Sequence, residues 1–256
     1  MGIRVERVMG TVVSLDVRDP DPGGPAGRAV ATALDAAVAW LREVDARFSP
    51  FRAASEIRRL DRGSLALDDC HPDVRHVLRA CEDLRLATDG AFDAWGHRED
   101  GALDPSGFVK GWAVDEAADI LKAAGARSFA INAGGDIVVH GEPEPGRAWR
   151  VGVQDPADAG RVAAVLVVRG GAVATSGLYE RGAHIRDPRS GAVAGSYASV
   201  TVVGPTLGLA DAWATAAFAL GEAGPKAVAA RPGLGVLAID HAGVATWSDL
   251  VDALLA

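Results

Sequence analysis

An aspartate and a threonine four residues apart are the first residues with a clear chemical use. Asp211 and Thr215 lie in a helical pattern of apolar residues that follows an apolar strand pattern at 199–203. Residues four apart face the same side of a helix, so this carboxylate and this hydroxyl can converge on one hard cation. Magnesium takes such oxygen ligands, commonly one or two carboxylates together with substrate phosphates. A structural interpretation, in which the helix dipole favours the aspartate and the threonine bonds a carbonyl, is better supported by these residues alone.

A tight loop that leads into a helix, residues 103–115, is the second candidate. Asp104 can accept hydrogen bonds from backbone or ligand N–H groups, and Gly107 allows a close approach of the backbone. Lys110 places a positive charge in the first helical turn, beside amide donors. These groups suit a phosphate or the polar edge of a ring. An Asp-Pro turn followed by an exposed lysine explains the same residues slightly better on local grounds.

Three further segments combine turns with polar groups. Gly134, Gly135 and Asp136 separate two apolar strand patterns, and paired glycines let the backbone contact something bulky. A hairpin turn explains them nearly as well, and the helix and spacing of a dinucleotide fingerprint are absent. Segments 174–181 and 184–191 gather hydroxyls, an aromatic ring and several charges around two turns. Turns are polar for structural reasons too, so neither segment identifies a site by itself.

Charge and motif content exclude several classes of function. The 26 basic and 34 acidic residues give a formal net charge of −8 without any Lys/Arg block, which argues against a nucleic-acid or anionic-membrane partner. The six histidines show no metal-ligand spacing, and no G-x-S-x-G or Walker-type loop occurs. Cys70 and Cys81 are expected to be free thiols. An anionic small molecule would therefore need a metal or backbone amides to bind.

The amino-terminal residues and the apolar runs give an expectation about location. Charges interrupt residues 1–8, where a secretory signal would need an apolar run, and no cysteine follows that could accept a lipid. The longest apolar runs, such as 162–168, are far too short to span a bilayer. We therefore expect a soluble, cytoplasmic protein without membrane insertion.

The periodicity of apolar residues predicts a mixed α+β fold. Consecutive strands without intervening helices over 127–175 favour a largely antiparallel sheet packed with helices, in one compact domain that is either simple or bilobed. Residues 3–17 are either two short strands or one bulged strand. The predicted helices are 27–47, 72–87, 110–123, 209–220 and 225–230. The other predicted strands are 128–132, 137–140, 149–153, 162–169, 173–175, 199–203 and 235–239.

Taken in order, these segments resemble the FAD:protein FMN transferase family, the ApbE-type flavin transferases. The resemblance covers about residues 9–221 of a single domain spanning 1–256. The pieces that carry it are Met9-Gly10-Thr11, Phe48-Ser49 with Ser55-Glu56-Ile57, Gly90-Ala91-Phe92-Asp93, the loop and helix 104–115, Gly134-Gly135-Asp136, Ser176-Gly177 with Tyr179-Glu180-Arg181, residues 184–191, and Asp211 with Thr215. Each piece is common, but eight in the right order are specific. With this resemblance, the functional interpretation of 104–115 and of the Asp211/Thr215 pair is favoured over the structural interpretation.

The resemblance implies a Mg²⁺-dependent enzyme that transfers FMN from FAD to a Thr or Ser hydroxyl of an acceptor flavoprotein, releasing AMP. It makes Asp211 and Thr215 the catalytic pair and, with the carbonyl of Gly107, the metal ligands. The implied FAD-binding residues are Met9, Phe51, Ala91, Phe92, Asp93, Asp104, Lys110, Gly134, Gly135, Asp136, Ser176, His184 and Ile185. Alternatives are a Mg²⁺-dependent FAD pyrophosphatase giving FMN and AMP, or a non-catalytic FAD-binding protein.

Two positions depart from the family pattern, and one role is open. Phe51 stands where many members have a tyrosine, which keeps ring stacking but loses a hydroxyl. Ala214 stands where some relatives have a second carboxylate, which reduces the number of protein ligands for the metal. The base for the incoming hydroxyl is open among Asp136, His184 and Asp187.

Overall fold

An antiparallel sheet of eight strands forms the centre of the molecule, and helices cover one of its faces. The computed structural model describes residues 3–18, 24–96, 98, 100–178 and 185–256. The strands are β1 Ile3–Val8, β2 Thr11–Val17, β3 Phe129–Ala133, β4 Asp136–His140, β5 Trp149–Asp155, β6 Asp158–Val168, β7 Gly170–Gly177, β8 Ser199–Gly204, β9 Gly235–Ile239 and β10 Ala245–Trp247. The sheet order is β1-β2-β3-β4-β7-β8-β9-β10, and β5 and β6 form a separate hairpin.

Helices precede, interrupt and follow this series of strands. They are α1 Pro25–Phe48, α2 Glu56–Asp61, α3 Pro72–Ala87, α4 Ser106–Ala123, α5 Leu207–Leu220, α6 Gly224–Ala229 and α7 Asp249–Asp252, with 3₁₀ turns at Leu67–Asp69 and Gly221–Ala223. Within the described part of the chain, each helix is too short or too polar to cross a bilayer.

The predicted α+β class with an antiparallel sheet is confirmed, since every pair of neighbouring strands in the described residues is antiparallel. Of the two options for residues 3–17, two separate strands are found. Met9 and Gly10 form the turn between them with φ of 54° and 71°, a left-handed conformation that ends the first strand. The sequence did not predict α2, α7 or β10, which have only six, four and three residues.

The two faces of the sheet bury different sets of residues. On one face α5 packs against β7 and β8, and α4 packs between α5 and α1 in the larger apolar core. On the other face the β5–β6 hairpin and α7 cover a smaller cluster that includes Val139, Val173 and Leu237. The sheet therefore separates the helical layer, which carries the candidate residues, from the hairpin.

The crossing of α4 and α5 is unusually close because glycines face each other. A Cβ atom placed on Gly111 of α4 would lie 2.6 Å from backbone atoms of Leu207 and Gly208 at the start of α5. A Cβ atom on Gly208 would lie 3.0 Å from the Phe108 ring and 3.2 Å from the backbone nitrogen of Trp112. Only glycine fits at this distance, so backbone contacts set the spacing of the two helices.

Substituting one of these glycines tests that contact. We expect Gly111→Ala to lower the free energy of unfolding by about 2 kcal/mol, because overpacking outweighs the gain in helix propensity. Urea denaturation of the two proteins measures the difference. Gly170→Ala is the control, since a Cβ atom there meets nothing within 4 Å. Equal stability of Gly111→Ala and the parent chain would contradict the close contact.

Candidate functional site

The pairing of α4 with α5 brings the two sequence candidates together. Gly107 and Lys110 lie in the first turns of α4, and Asp211 and Thr215 lie one turn apart on α5. A Cβ atom placed on Gly107 would lie 4.0 Å from the Thr215 hydroxyl. Lys110 Nζ lies 3.3 Å from Asp211 Oδ2. A hydroxyl, a carboxylate, a main-chain segment and an ammonium group therefore meet at one place.

Lys110 lies between two buried carboxylates. Its Nζ forms ion pairs with Asp136 and Asp211, whose residues are only 4% and 7% exposed. Burial disfavours the charged lysine, but the Asp211 and Asp136 carboxylates outweigh this and raise the pKa of Lys110 above its ordinary value. The lysine therefore stays protonated between the two carboxylates.

Asp136 reaches this cluster from the turn between β3 and β4. Its Oδ2 contacts Lys110, and its Oδ1 accepts a hydrogen bond of 2.9 Å from the backbone N–H of Thr175. The two glycines before it serve the turn, since Gly134 and Gly135 have φ of 63° and 97°. A Cβ atom on Gly134 would lie only 2.3 Å from the hydroxyl of Thr11. The hairpin thus explains these glycines, while the aspartate extends into the site.

Ser176 adds a second hydroxyl from β7. Its Oγ lies 3.5 Å from Thr215 Oγ1, and the residue is 8% exposed. Strand β7 therefore supplies a polar group on the sheet side of Thr215.

A cleft of about 890 Å³ opens beside Lys110. The β1–β2 turn, the end of α1 with the loop after it, and the start of α4 form its walls. The polar and large apolar residues of its lining include Arg7, Met9, Asp45, Phe51, Arg52, Asp104, Ser106 and Lys110. Of the predicted FAD contacts, Met9, Phe51, Asp104 and Lys110 are in this set. The Phe51 ring is 87% exposed and free to stack on a planar ligand.

Other predicted contacts lie elsewhere. Ala91 and Phe92 are fully buried, and the Phe92 ring would lie 3.1 Å from a Cβ atom on Gly107. The Phe92 ring therefore packs against the start of α4. Asp93 accepts a hydrogen bond from the backbone N–H of Trp95 and borders a separate hollow of about 330 Å³. Among the described residues that line the 890 Å³ cleft, none comes from 91–93 or is Ile185.

The three candidate bases differ in their surroundings. Asp136 is engaged by Lys110 and by a backbone N–H. Hydrogen bonding from the Arg189 guanidinium holds the pKa of Asp187 below its usual range, which makes this carboxylate a poor proton acceptor. His184 lies outside the described residues, as do Tyr179, Glu180 and Arg181 of the neighbouring motif.

The donor set fits a hard cation. Within the described ranges no group of three or more His, Cys, Asp or Glu side chains could hold a metal. The groups at the helix crossing are instead oxygen donors, the Asp211 carboxylate and the Thr215 hydroxyl, beside the main chain of Gly107. Oxygen ligands with one carboxylate suit Mg²⁺ better than soft transition metals. Ala214 is fully buried and contributes no ligand.

The sequence analysis left one partly buried polar residue of this region without a role. Asp115 follows Lys110 by five residues on α4, and its carboxylate accepts hydrogen bonds from the start of α5. The available signal was its place in the pattern, because it directly follows a run of four buried residues, 111–114, on α4. An acidic residue beside such a run needs a buried partner.

Comparisons with known proteins show which family the chain resembles in sequence and fold. A sequence profile described as the ApbE family matches residues 9–97 and 96–238. The chain is 39% identical over 140 residues to a FAD:protein FMN transferase of Rhodobacter capsulatus, a stretch that is 52% of this chain and 27% of that protein. It is 34% identical over 157 residues to the FAD:protein FMN transferase of Escherichia coli K12, covering 57% and 45%.

The matched stretches span less than half the length of these two relatives. The fold, in contrast, matches over its whole extent. The flavin transferase ApbE from Vibrio cholerae superposes with a TM-score of 0.83 at 23% identity, covering 99% of this chain and 98% of that one. Because the family profile matches nearly the whole sequence, the chain belongs to the ApbE family.

Proposed function

We propose that the chain is a Mg²⁺-dependent FAD:protein FMN transferase. In this reaction a Thr or Ser hydroxyl oxygen of an acceptor flavoprotein attacks the phosphorus of the FMN half of FAD. A new phosphoester bond forms, the bond to the AMP half breaks, the hydroxyl loses its proton, and AMP leaves. Relatives that carry this name match up to 57% of the chain, which supports the assignment.

The observation that carries the proposal is the meeting of Gly107, Lys110, Asp211 and Thr215 at the crossing of α4 and α5. Attack on a diphosphate requires neutralisation of the charge on its oxygens and alignment of the attacking group. The site offers a protonated lysine and three oxygen ligands, and Lys110 also lines the adjoining cleft of about 890 Å³. The net negative charge of the chain is therefore compatible with an anionic substrate.

The metal ligands would be the Asp211 carboxylate, the Thr215 hydroxyl and the Gly107 carbonyl. When bound, Mg²⁺ supplies neutralisation of the diphosphate charge and polarises the phosphorus under attack. Lys110 adds a second positive charge beside the diphosphate. Asp136 holds the lysine in place through its ion pair and its bond to Thr175.

The cleft would hold the remainder of FAD. The exposed Phe51 ring offers a stacking surface for a flat ring system, and Met9 adds an apolar, adaptable contact at the β1–β2 turn. Asp104 can accept a hydrogen bond from a ring N–H through oxygens that are not used by Ser106. Ser176 lies beside Thr215, where it can orient the reacting groups.

One incubation tests the proposal. The protein is mixed with FAD, Mg²⁺ and a flavoprotein that is encoded beside it and carries a modifiable threonine. We expect flavin fluorescence that stays on the acceptor in a denaturing gel, equimolar AMP, and loss of both with EDTA. Free FMN with AMP and no labelled acceptor would instead identify a pyrophosphatase. FAD binding without turnover would identify a binding protein, and no FAD binding would overturn all three functions.

A further inference from the structure

Helix α5 begins without a cap from its own sequence. Thr206, at the position that precedes the helix, makes no side-chain hydrogen bond to it. The first N–H groups of a helix have no partner within the helix and need an acceptor from elsewhere. Here the acceptor is Asp115 of α4, whose Oδ1 and Oδ2 each accept a 2.8 Å bond, from the backbone N–H groups of Leu207 and Gly208.

These two bonds lie at the glycine contact between the helices. Gly111 precedes Asp115 by four residues, so it faces the same side of α4 and touches the same two residues of α5. The backbone contact stops α5 from moving closer, and the two hydrogen bonds stop it from moving away or sliding. The first turn of α5 therefore has one position on α4.

That position matters because the candidate ligands are divided between the two helices. On α4, Gly107 lies about two turns before Asp115, and Lys110 lies somewhat more than one turn before it. Asp211 follows Gly208 by three residues on α5, and Thr215 follows one turn later. A shift of α5 of about 1 Å would change every distance between the two pairs, and misplacements of that size cost activity.

We propose that Asp115 is a positioning residue, whose carboxylate fixes the start of α5 on α4 so that Asp211 and Thr215 meet Gly107 and Lys110 at the spacing a cation requires. This inference rests on the proposed function, because it assumes that these residues bind the metal. Both carboxylate oxygens of Asp115 accept bonds from backbone N–H groups of α5, so this residue acts through α5 and not on the substrate.

The charge of Asp115 suits this role. Burial raises the pKa of this carboxyl to about 6, although the bonds from Gly208 and Leu207 act in the opposite direction. At pH 7.5 the group is ionised and presents two acceptor oxygens. A negative charge at a helix N-terminus is also favoured by the helix dipole. Asparagine keeps the size but has one acceptor oxygen and turns an amide N–H₂ toward the other donor.

The decisive measurement is the binding of Mn²⁺ alone, followed by electron paramagnetic resonance of the free ion at pH 7.5. We expect Asp115→Asn to weaken Mn²⁺ binding about tenfold. FAD binding in EDTA, followed by flavin fluorescence, should change less than about twofold, because the cleft lining is untouched. The matched control is Asp119→Asn, one turn further on α4, whose side chain is exposed and pairs only with Lys122 among the described residues. It should change neither constant.

A second variant separates positioning from simple helix capping. Thr206 is exposed and has the extended backbone conformation of an N-cap residue, so Thr206→Asp can cap α5 from its own chain. Loss of the cap in Asp115→Asn should lower the stability and speed the amide exchange of residues 207–210. In the double variant Asp115→Asn/Thr206→Asp we expect both to be restored, while Mn²⁺ binding stays weak. Recovery of Mn²⁺ binding in the double variant would show that Asp115 acts only as a helix cap, and this would overturn the inference.

Kinetics give an independent readout. Asp115→Asn should raise the Mg²⁺ concentration for half-maximal rate and lower kcat, with little change in KM for FAD. Unchanged Mn²⁺ affinity in Asp115→Asn overturns the inference, whether or not the protein transfers FMN. If the parent chain binds Mn²⁺ but transfers no FMN, the proposed transferase function is overturned. The Mn²⁺ affinities of Asp115→Asn and the parent chain then still decide the role of Asp115. A parent chain that binds no Mn²⁺ overturns both.

Discussion

We expect the Asp211→Asn variant to transfer FMN at least about a thousandfold more slowly than the parent chain. The substitution keeps the size of the side chain and removes the only carboxylate among the three proposed metal ligands. A bound divalent ion contributes several kcal/mol to the stabilisation of the transition state, and each 1.36 kcal/mol is a factor of ten in rate. Chromatography of released AMP measures the rate.

Binding of FAD separates this loss from a general defect. In EDTA the variant should bind FAD within a few-fold of the parent chain, because the cleft residues and the ion pair between Lys110 and Asp136 remain. The second ligand offers a matched pair: Thr215→Ser keeps the hydroxyl and should retain activity, whereas Thr215→Val keeps the shape and should lose it. If Asp211→Asn retains a tenth of the activity, the carboxylate is not a metal ligand.

The second large effect is on stability. Replacing Lys110 by methionine leaves Asp136 and Asp211 buried side by side without their positive partner. Removing one member of a buried ion pair typically costs 3–5 kcal/mol, and partial exposure of the lysine places this case at the lower end. We therefore expect Lys110→Met to lower the free energy of unfolding by about 3 kcal/mol at pH 7.5, as measured by urea denaturation.

A second substitution shows whether unpaired charge causes the destabilisation expected for Lys110→Met. Asp136→Asn removes one of the two carboxylates, and its amide oxygen can still accept the bond from Thr175. Added to Lys110→Met, it should restore most of the lost stability, although it destabilises the parent chain by breaking the same ion pair. If the two substitutions are simply additive, the destabilisation comes from lost packing of the lysine stem.

The helices and the longer strands were predictable because their apolar periodicity extends over enough residues. Helices α1, α3, α4 and α5 have 14 to 24 residues and were placed within a few residues of their ends. Helix α7 and strand β10 have four and three residues, which is less than two full periods and too short to show a repeat. Helix α2 has a local signal, since the Ser55 hydroxyl caps it by accepting a bond from Arg58, but six residues show no amphipathic face.

The site was predictable in part. The spacing of Asp211 and Thr215 placed them correctly on one helix face, because local geometry depends on neighbours in sequence. Their meeting with Gly107 depends on the packing of two helices about ninety residues apart, which periodicity does not contain. The resemblance to a family supplied that grouping. The bonds of Asp115 were missed for the same reason, since both of its partners are backbone groups that carry no signature in the sequence.

The glycine contact between α4 and α5 has a consequence for how the protein tolerates change. Because main-chain atoms touch there, the gap between the helices does not depend on which aliphatic groups fill the layers around them. We expect that leucine, valine and alanine can replace one another in those layers. Such changes would alter the melting temperature but not the distance between α4 and α5 at the candidate site. The Vibrio protein shares 23% of its residues with this chain and the same overall shape, which is the divergence such an arrangement permits.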